Sequence, residues 1–269
     1  MPAAKIAFIG TGNLASAIVR GLLTNKTCAP ADLAGTSKTG TSAQRLAQDT
    51  GITYEPDLGK LLRGADTVVI AFKPQSLAAA DSRLAELTAG KLVISVLAGK
   101  RLTRLAQFFP QARNLVRFLP NTPSSIGAGI AGWSAASPLS VTDRAIVQSL
   151  LDSMGVSVEV DEQHLDAITA LGGSGPAFLF EFVAALRDGG LAAGLPPALA
   201  KKFATETVLG AARLLARSGA DPESLRAQVV SPNGTTHAGL EVMSSRQFRE
   251  TMRDTILAAT RRAEELSND

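Results

Sequence analysis

Three hydroxyl side chains and three turn-forming residues lie together near the end of the chain, in the segment Ser-Pro-Asn-Gly-Thr-Thr at positions 231–236. Pro232, Asn233 and Gly234 end any helix that precedes them, and an apolar helical pattern restarts at about Thr235. The segment is therefore predicted to form a turn that leads into a helix N-terminus, and we call it the 231–236 loop. Its hydroxyls and free backbone N–H groups suit a small anion, most simply a carboxylate, although an ordinary helix cap has the same composition.

A glycine-rich segment near the start of the chain has the pattern G-x-G-x-x-A, directly after an apolar run and directly before a helical pattern. In such a turn the first glycine permits the sharp bend, the second lets a pyrophosphate approach the backbone, and the alanine keeps the helix close to the sheet. The alternative is a purely structural turn. The pattern predicts dinucleotide contacts at Gly10, Thr11, Gly12, Asn13, Leu14 and Ala15.

The end of the second predicted strand indicates which nucleotide binds. A site for NAD usually has an acidic residue there, which holds the ribose 2′-hydroxyl. This chain has Ser37 and Lys38 instead, and a hydroxyl with a cation suits a 2′-phosphate. NADP is therefore the predicted cofactor, with NAD expected to serve at lower efficiency. A solvated loop without a ligand is the alternative.

Three further strands end in small or polar loop residues, at the sheet edge where ligands bind in α/β folds. Turn chemistry alone also favours such residues after strands. We predict cofactor contacts at Ala71, Phe72, Lys73, Pro74, Ala98, Gly99 and Asn121.

A run of small residues, Gly-Gly-Ser-Gly-Pro at positions 172–176, is predicted to end one helix and begin the next, with Ser174 as the N-cap. Small residues let a flat ring approach the backbone, so Gly175 and Pro176 are candidate substrate contacts. A plain helix–helix corner is the alternative.

The elements that must position these residues fall into two groups. Strands alternate with helices up to about residue 160, which predicts an N-terminal Rossmann-like domain, residues 1–160, with a doubly wound parallel sheet. Only helical patterns follow, so residues 161–269 are predicted to form an all-α domain. Strands are predicted at 5–9, 33–36, 67–71, 92–96 and 114–119, with edge strands at 130–133 and 157–160. Helices are predicted between them at 13–23, 42–48, 77–87, 102–108 and 142–154.

The helix predicted at residues 177–186 is apolar on nearly every face, and such a helix must be buried all round. A domain of about a hundred residues has too little interior to cover it. We therefore predict self-association through the helical domain.

Composition and residue spacing argue against several other classes of function. The net charge is +3 and aromatic residues make up 4%, which does not favour nucleic-acid binding. The single cysteine, Cys28, fits a reducing cytoplasmic location. Neither a targeting segment nor a membrane span is predicted, because the apolar stretch at 176–186 is far shorter than about 20 residues. His164 and His237 lack partners at ligand spacing, so no metal site is predicted.

Taken together, these motifs resemble the Δ1-pyrroline-5-carboxylate reductase family, in order along essentially the whole chain. The 173–177 and 231–236 motifs are the specific ones, since the glycine turn is shared with many enzymes. The resemblance implies a cytoplasmic oxidoreductase that reduces a cyclic imine to proline with NADPH, as a homodimer or higher oligomer whose helical domains interlock and whose active site forms across the dimer. Phe178 stands where the family commonly has Tyr, and Asn233 where it commonly has Gly.

From the residues and this resemblance we assign substrate carboxylate binding to Ser231, Gly234, Thr235 and Thr236. The resemblance also makes the Thr236 hydroxyl the candidate for a proton relay at the ring nitrogen. Two rivals remain open: a β-hydroxyacid dehydrogenase, which would need a lysine shortly after the 172–175 glycines, and a dinucleotide-sensing module without activity.

Overall fold

The computed structural model describes residues 5–268, and these form two compact units. The α/β unit contains the described residues up to Ser174 together with those from Ala258 onward. The helical unit is Gly175–Leu257. The last strand ends at Glu159, so the change from strands to helices comes earlier in the chain than the division between the units.

The α/β unit is built on one eight-stranded sheet with the order β3-β2-β1-β4-β5-β6-β7-β8. The first six strands are mutually parallel, which confirms the predicted Rossmann-like core, and β7 and β8 run in the opposite direction. The strands are β1 (Ile6–Ile9), β2 (Leu33–Thr36), β3 (Thr53–Tyr54), β4 (Thr67–Ile70), β5 (Leu92–Ser95), β6 (Asn114–Leu119), β7 (Gly129–Ala135) and β8 (Gly155–Glu159).

The antiparallel pairing of β7 with β6 was not predicted from the sequence. The connection from Leu119 to Gly129 is shorter than the dozen or so residues that a parallel crossover needs, so the chain turns back beside β6. β7 is consequently an interior strand, and only β8 of this pair is an edge strand.

Seven α-helices lie within residues 5–174 of the α/β unit, which also includes the end of the last helix of the chain. They are α1 (Asn13–Thr24), α2 (Thr41–Thr50), α3 (Leu58–Arg63), α4 (Leu84–Leu87), α5 (Leu102–Phe108), α6 (Val141–Asp152) and α7 (Leu165–Ile168). The long helix predicted at 77–87 is wrong over most of its length. Asp81 Oδ1 accepts a hydrogen bond from the Arg83 backbone N–H at 2.9 Å, a local bond that competes with a helix.

The core of the α/β unit lies on both faces of the sheet. Alternate residues of β1 point to opposite sides, so Phe8 joins a cluster with Leu22 of α1 and Leu150 of α6. Ala7 joins the second cluster, which includes Leu105 of α5. These two cores hold the strand ends in fixed register, and the strand ends carry the predicted cofactor residues.

The helical unit has almost no core within a single chain. Its helices are α8 (Gly175–Ala192), α9 (Pro197–Ser218), α10 (Pro222–Gln228), α11 (Thr235–Ser245) and the first part of α12 (Phe248–Asn268). Its only buried apolar residues in the described structure are Ala200 and Ala204. Phe180 and Phe203 are each 63% exposed, so most of the apolar surface of this unit is uncovered.

The helix break predicted at residues 172–176 is absent. The chain passes from α7 through a π-helical turn, Thr169–Gly173, into α8. Ser174 has helical backbone angles, and its N–H donates to the Thr169 carbonyl, so the predicted N-cap role of Ser174 is wrong. The extra residue in the π-turn accommodates Pro176, which has no N–H and would crowd the preceding turn of a regular α-helix.

As a result, one helical run, Glu162–Ala192, is long and apolar enough to cross a bilayer by length and composition alone. The run exceeds the predicted apolar stretch because the predicted break is absent. Only 6% of its most apolar window is buried within the chain. Core helices of other proteins meet the same criterion, so this observation by itself is weak evidence for a membrane.

Candidate active site

The glycine turn has the geometry of a dinucleotide cradle. Gly10 has φ +99°, and a Cβ there would lie 2.5 Å from the backbone of Ala71 and Phe72, so no larger residue fits. Gly12 caps α1 without any side-chain hydrogen bond, and a Cβ on Gly12 would meet no atom within 4 Å. The turn is therefore closed toward the sheet and open toward solvent, as a bound pyrophosphate requires.

The second strand leads into a polar loop of the predicted kind. Lys38 is exposed and makes no ion pair among the described residues. Ser37 is half-buried, and its Oγ accepts a hydrogen bond from the Ala43 N–H at 3.3 Å, which leaves its hydroxyl hydrogen available. This loop and the glycine turn meet directly, because the Gly10 N–H donates to the Thr36 carbonyl at 2.9 Å.

The loop after β4 also adjoins the glycine turn. The Ala71 N–H donates to the Ile9 carbonyl at 2.8 Å, and a half-buried Phe72 follows Ala71. Lys73 is exposed, and Pro74 begins a short 3-10 turn, Pro74–Ser76. The structure thus brings together the predicted residues at the ends of β1, β2 and β4.

The loop after β5 divides between two environments. Ala98 is exposed, whereas Gly99 is buried with φ +67°. A Cβ on Gly99 would lie 2.8 Å from the Leu266 carbonyl oxygen at the end of α12. Close packing against α12 therefore explains why position 99 is a glycine. Ala98 is the exposed residue of the two.

Asn121, which we predicted as a cofactor contact, uses both ends of its side chain within the protein. Its Nδ2 donates to the Gly172 carbonyl at 3.1 Å, and its Oδ1 accepts from the Ile130 N–H at 3.1 Å. In a regular helix the residue at position 176 would bond that carbonyl, but Pro176 has no N–H. Asn121 thus takes the carbonyl that the proline leaves free.

A buried ion cluster behind the β5 and β6 loops had no signal in the sequence patterns. Arg117, fully buried in β6, contacts Glu162 and Asp166, each at 3.2 Å. Asp166 also accepts from the Ser267 hydroxyl at 2.8 Å and pairs with Arg101 at 3.3 Å. The cluster ties the beginning of the 162–192 helical run and the end of α12 to the sheet.

In the helical unit, the 231–236 loop leads into α11 as predicted. Asn233 has φ +59°, so Asn supplies the left-handed conformation for which glycine is the usual choice. The Gly234 N–H donates to the Ser231 carbonyl at 3.0 Å, and Gly234 caps α11 without a side-chain bond. Ser231 and Thr235 are exposed, while Thr236 is half-buried.

In the described structure, hydrogen bonds do not link the 231–236 loop to the other residues of this unit that were predicted to contact the substrate. No hydrogen bond among residues 5–268 joins the 231–236 loop to Gly175 or Pro176. His237 Nδ1 lies 3.9 Å from Glu241 Oε2, one helical turn away. No three His, Cys, Asp or Glu side chains among the described residues are placed to share a metal ion.

One contact of the cofactor loops was not anticipated from the sequence. The Thr11 hydroxyl lies 2.8 Å from the hydroxyl of Ser42, the second residue of α2. Nothing in the G-x-G-x-x-A pattern assigns a role to the residue between the glycines. The proximity of these two residues depends on the pairing of β1 with β2, so only the folded structure shows it.

Comparison with protein families gives two matches. The model described as pyrroline-5-carboxylate reductase dimerisation matches residues 162–266, and the model described as NADP oxidoreductase coenzyme F420-dependent matches residues 5–99. The first agrees with the predicted self-association of the helical part. The second covers the glycine turn and the strand ends of the cofactor cradle.

Individual relatives cover nearly the whole chain. A pyrroline-5-carboxylate reductase of Arabidopsis thaliana is 35% identical over 264 residues, which are 98% of this chain and 95% of the relative. A solved pyrroline-5-carboxylate reductase from Coxiella burnetii superposes with a TM-score of 0.91 at 32% identity, over 98% of this chain and 99% of that one. The Plasmodium falciparum enzyme, solved with NADP bound, gives a TM-score of 0.87 at 25% identity and 99% coverage of both chains. The chain belongs to the pyrroline-5-carboxylate reductase family.

Proposed function

We propose that this chain reduces the cyclic imine Δ1-pyrroline-5-carboxylate to L-proline with a hydride from NADPH, the last step of proline biosynthesis. The observation that carries the proposal is similarity to pyrroline-5-carboxylate reductases over 98% of the chain. Residues 1–160 are proposed to bind the cofactor, and residues 161–269 to serve self-association and substrate binding. The free cysteine Cys28 is consistent with a cytoplasmic location.

The α/β unit supplies a cradle that fits the cofactor. When bound, the reduced nicotinamide supplies the hydride, and the protein holds and orients both reactants. Gly12 leaves room for the pyrophosphate at the start of α1, and Ser37 with Lys38 offers a hydroxyl and a cation to a 2′-phosphate. Ala98 is the outward-facing candidate contact of the β5 loop.

The 231–236 loop is the proposed carboxylate site. Ser231, Thr235 and Thr236 offer hydroxyl donors, and the uncapped start of α11 offers backbone N–H groups. Hydrogen bonds to a charged partner contribute about 1.5–3 kcal/mol each. The substrate carboxylate would thus be fixed by several donors at once, and its ring would be held in one orientation.

Thr236 is the proposed proton-relay residue at the ring nitrogen. If the substrate enters as the neutral imine, Thr236 would pass a proton from solvent to the ring nitrogen as hydride reaches C5, whereas an iminium already carries that proton. Thr236 is half-buried at the first turn of α11, unlike the exposed Thr235. We therefore expect Thr236 to affect the chemical step more than Thr235 does.

The decisive assay follows the loss of reduced-nicotinamide absorbance after Δ1-pyrroline-5-carboxylate is added to the purified protein and NADPH. Turnover to proline supports the proposal, and no turnover would leave the β-hydroxyacid dehydrogenase and the inactive sensing module as candidates. A second reaction with NADP and β-hydroxyacids tests the rival dehydrogenase. That rival is disfavoured because no lysine follows within several residues of Gly175.

The Thr236→Ala variant tests the site assignment. We expect kcat/KM to fall about ten- to a hundredfold, which corresponds to roughly 1.4–2.7 kcal/mol. Thr251→Ala, which removes an exposed threonine hydroxyl of α12 bonded to the Gln247 carbonyl, is the control and should keep wild-type kinetics. Wild-type kcat/KM in Thr236→Ala would remove this residue from the mechanism.

The preference for NADPH is tested separately. Steady-state kcat/KM should be higher with NADPH than with NADH, because Ser37 and Lys38 can bind a 2′-phosphate and no acidic residue stands there for a ribose hydroxyl. The opposite order would contradict this part of the proposal while leaving imine reduction intact.

A further inference from the structure

We propose that Thr11 is a positioning residue for cofactor selectivity, because its buried hydroxyl holds the Ser42 hydroxyl in place for the 2′-phosphate. This inference rests on the proposed use of NADPH. It concerns a residue whose side chain has no role in the pyrophosphate turn itself, where only the backbone and the two glycines matter.

The first observation is the burial of the Thr11 side chain. Thr11 is 3% exposed, although Gly12 and Asn13 beside it are exposed. Its methyl group lies over Gly35 of β2, where a Cβ would be 2.9 Å from Thr11 Cγ2. The absence of a side chain at position 35 therefore creates the space in which Thr11 turns inward, toward α2.

The second observation is the hydroxyl pair. Thr11 Oγ1 lies 2.8 Å from Ser42 Oγ, and no other partner of the Thr11 hydroxyl is found among the described residues. A buried hydroxyl requires a hydrogen-bond partner, and Ser42, which is exposed, is the one that also faces solvent. If Thr11 donates to Ser42, the Ser42 O–H remains free to donate outward.

A nearby anion favours that direction of donation. The two hydroxyls then form a chain in which the first polarises the second, and the outer O–H points to the negative charge. A ribose 2′-hydroxyl would give no such bias, because it is neutral and can either donate or accept. The pair is therefore expected to favour a phosphate over a hydroxyl.

The charges around the pair agree with a phosphate. Residues 33–48 contain no Asp or Glu, and they include the cations Lys38 and Arg45. Ser37 keeps its hydroxyl hydrogen available, because its oxygen accepts from the Ala43 N–H. Ser42 completes this set of donors only if its rotamer is fixed, and the bond to Thr11 removes that rotational freedom before the cofactor arrives.

The test measures binding rather than turnover, with 2′,5′-ADP and 5′-AMP as probes in isothermal titration calorimetry. Thr11→Val keeps the size of the side chain and removes its hydroxyl. We expect its affinity for 2′,5′-ADP to fall about three- to tenfold, the range for one net hydrogen bond, with 5′-AMP affinity unchanged. The ratio of kcat/KM for NADPH to kcat/KM for NADH should fall by the same factor.

The matched control is Thr88→Val, which removes another fully buried threonine hydroxyl of the α/β unit, bonded to the Leu84 carbonyl at the end of α4. It should leave both nucleotide affinities unchanged. Ser42→Ala, an exposed position, tests the same pair if Thr11→Val folds poorly, and should reproduce the selective loss.

Equal losses for both nucleotides, or an unchanged affinity ratio in Thr11→Val and Ser42→Ala, would overturn the inference. If the wild-type protein itself binds 5′-AMP as tightly as 2′,5′-ADP, the proposed NADPH preference fails as well. The two failures are thus distinguished by the wild-type titration.

Discussion

The two units of this chain reach stability by different routes. The α/β unit buries clusters on both faces of its sheet, with Phe8, Phe118 and Leu150 fully covered. The helical unit covers only Ala200 and Ala204 among its described residues, while Phe180 and Phe203 remain largely exposed. Since apolar burial is the dominant favourable term in folding, the helical unit has far too little of it alone.

The chain thus contains one unit that buries its own core and one unit whose apolar side chains stay uncovered within a single copy. The family match over residues 162–266 is to a dimerisation region, which accounts for the uncovered surface of α8 and α9. It also explains why a helical run that satisfies the length and composition of a membrane span occurs here. The stability of the helical unit should therefore depend on protein concentration.

The largest effect is expected from a charge in the uncovered surface. Phe180→Asp should abolish self-association and lower activity more than a hundredfold, because an unpaired carboxylate would have to be buried between subunits. Sedimentation velocity and the imine-reduction assay measure both results. Val141→Asp is the control, since Val141 is 88% exposed at the first position of α6, where an acid is favourable. A stable, active Phe180→Asp oligomer would contradict the proposed use of this surface.

A smaller effect is expected when an aromatic side chain is truncated in either unit, and its dependence on protein concentration should differ between the two units. Phe118→Ala in β6 should cost about 3–5 kcal/mol of unfolding free energy, with a difference from wild type that is the same at every protein concentration. Phe203→Ala should instead give a difference that grows as concentration rises and then levels off, because this side chain is exposed in the single chain and stabilises the associated form. Thermal unfolding at several concentrations distinguishes the two, and identical behaviour would remove the contrast between the units.

The smallest effect concerns charge. The Arg113 guanidinium lies 2.6 Å from Asp143 and lowers the pKa of that carboxyl, despite the opposing effect of burial. A lowered pKa gives stability that is present above the unfolded value of about 3.9 and is lost as pH falls through the folded pKa. Asp143→Asn should therefore cost about 1.5–3 kcal/mol at neutral pH, and the difference should narrow below about pH 4.

Asp188→Asn in the helical unit removes an exposed ion pair and serves as the comparison for Asp143→Asn. Its hydrogen bond to Arg187 also lowers the pKa of Asp188, but both side chains are exposed. We expect a negligible change in unfolding free energy, since exposed pairs are screened by solvent. A pH dependence as large as that of Asp143 would show that burial does not separate the two pairs.

Features set by neighbouring residues could be predicted from the sequence. The Gly10 turn, the start of α11 at Thr235 and the left-handed Asn233 all follow from local backbone preferences, and the structure has each of them. The first six parallel strands were also predictable from alternation, except for the two-residue β3.

Features that depend on contacts across the fold could not be predicted. Asn121 reads as a ligand residue at a strand end, yet its side chain is engaged by Gly172 and Ile130. The glycines before Pro176 predicted the end of one helix and the start of another, but the chain continues through a π-turn whose Gly172 carbonyl accepts a hydrogen bond from Asn121. Thr11 and Ser42 are likewise brought together only by strand pairing.

The bond from Asn121 to Gly172 has a consequence for the order of folding. Asn121 lies two residues beyond the end of β6, so its hydrogen bond to the π-turn can form only once that strand is in place. Contacts between distant parts of a sequence form late, because the intervening chain must first be closed into a loop. We therefore expect the π-turn of the 162–192 helical run to become ordered only after the sheet has formed. The surface that joins two copies would then be presented last, when the rest of the chain is no longer free to aggregate.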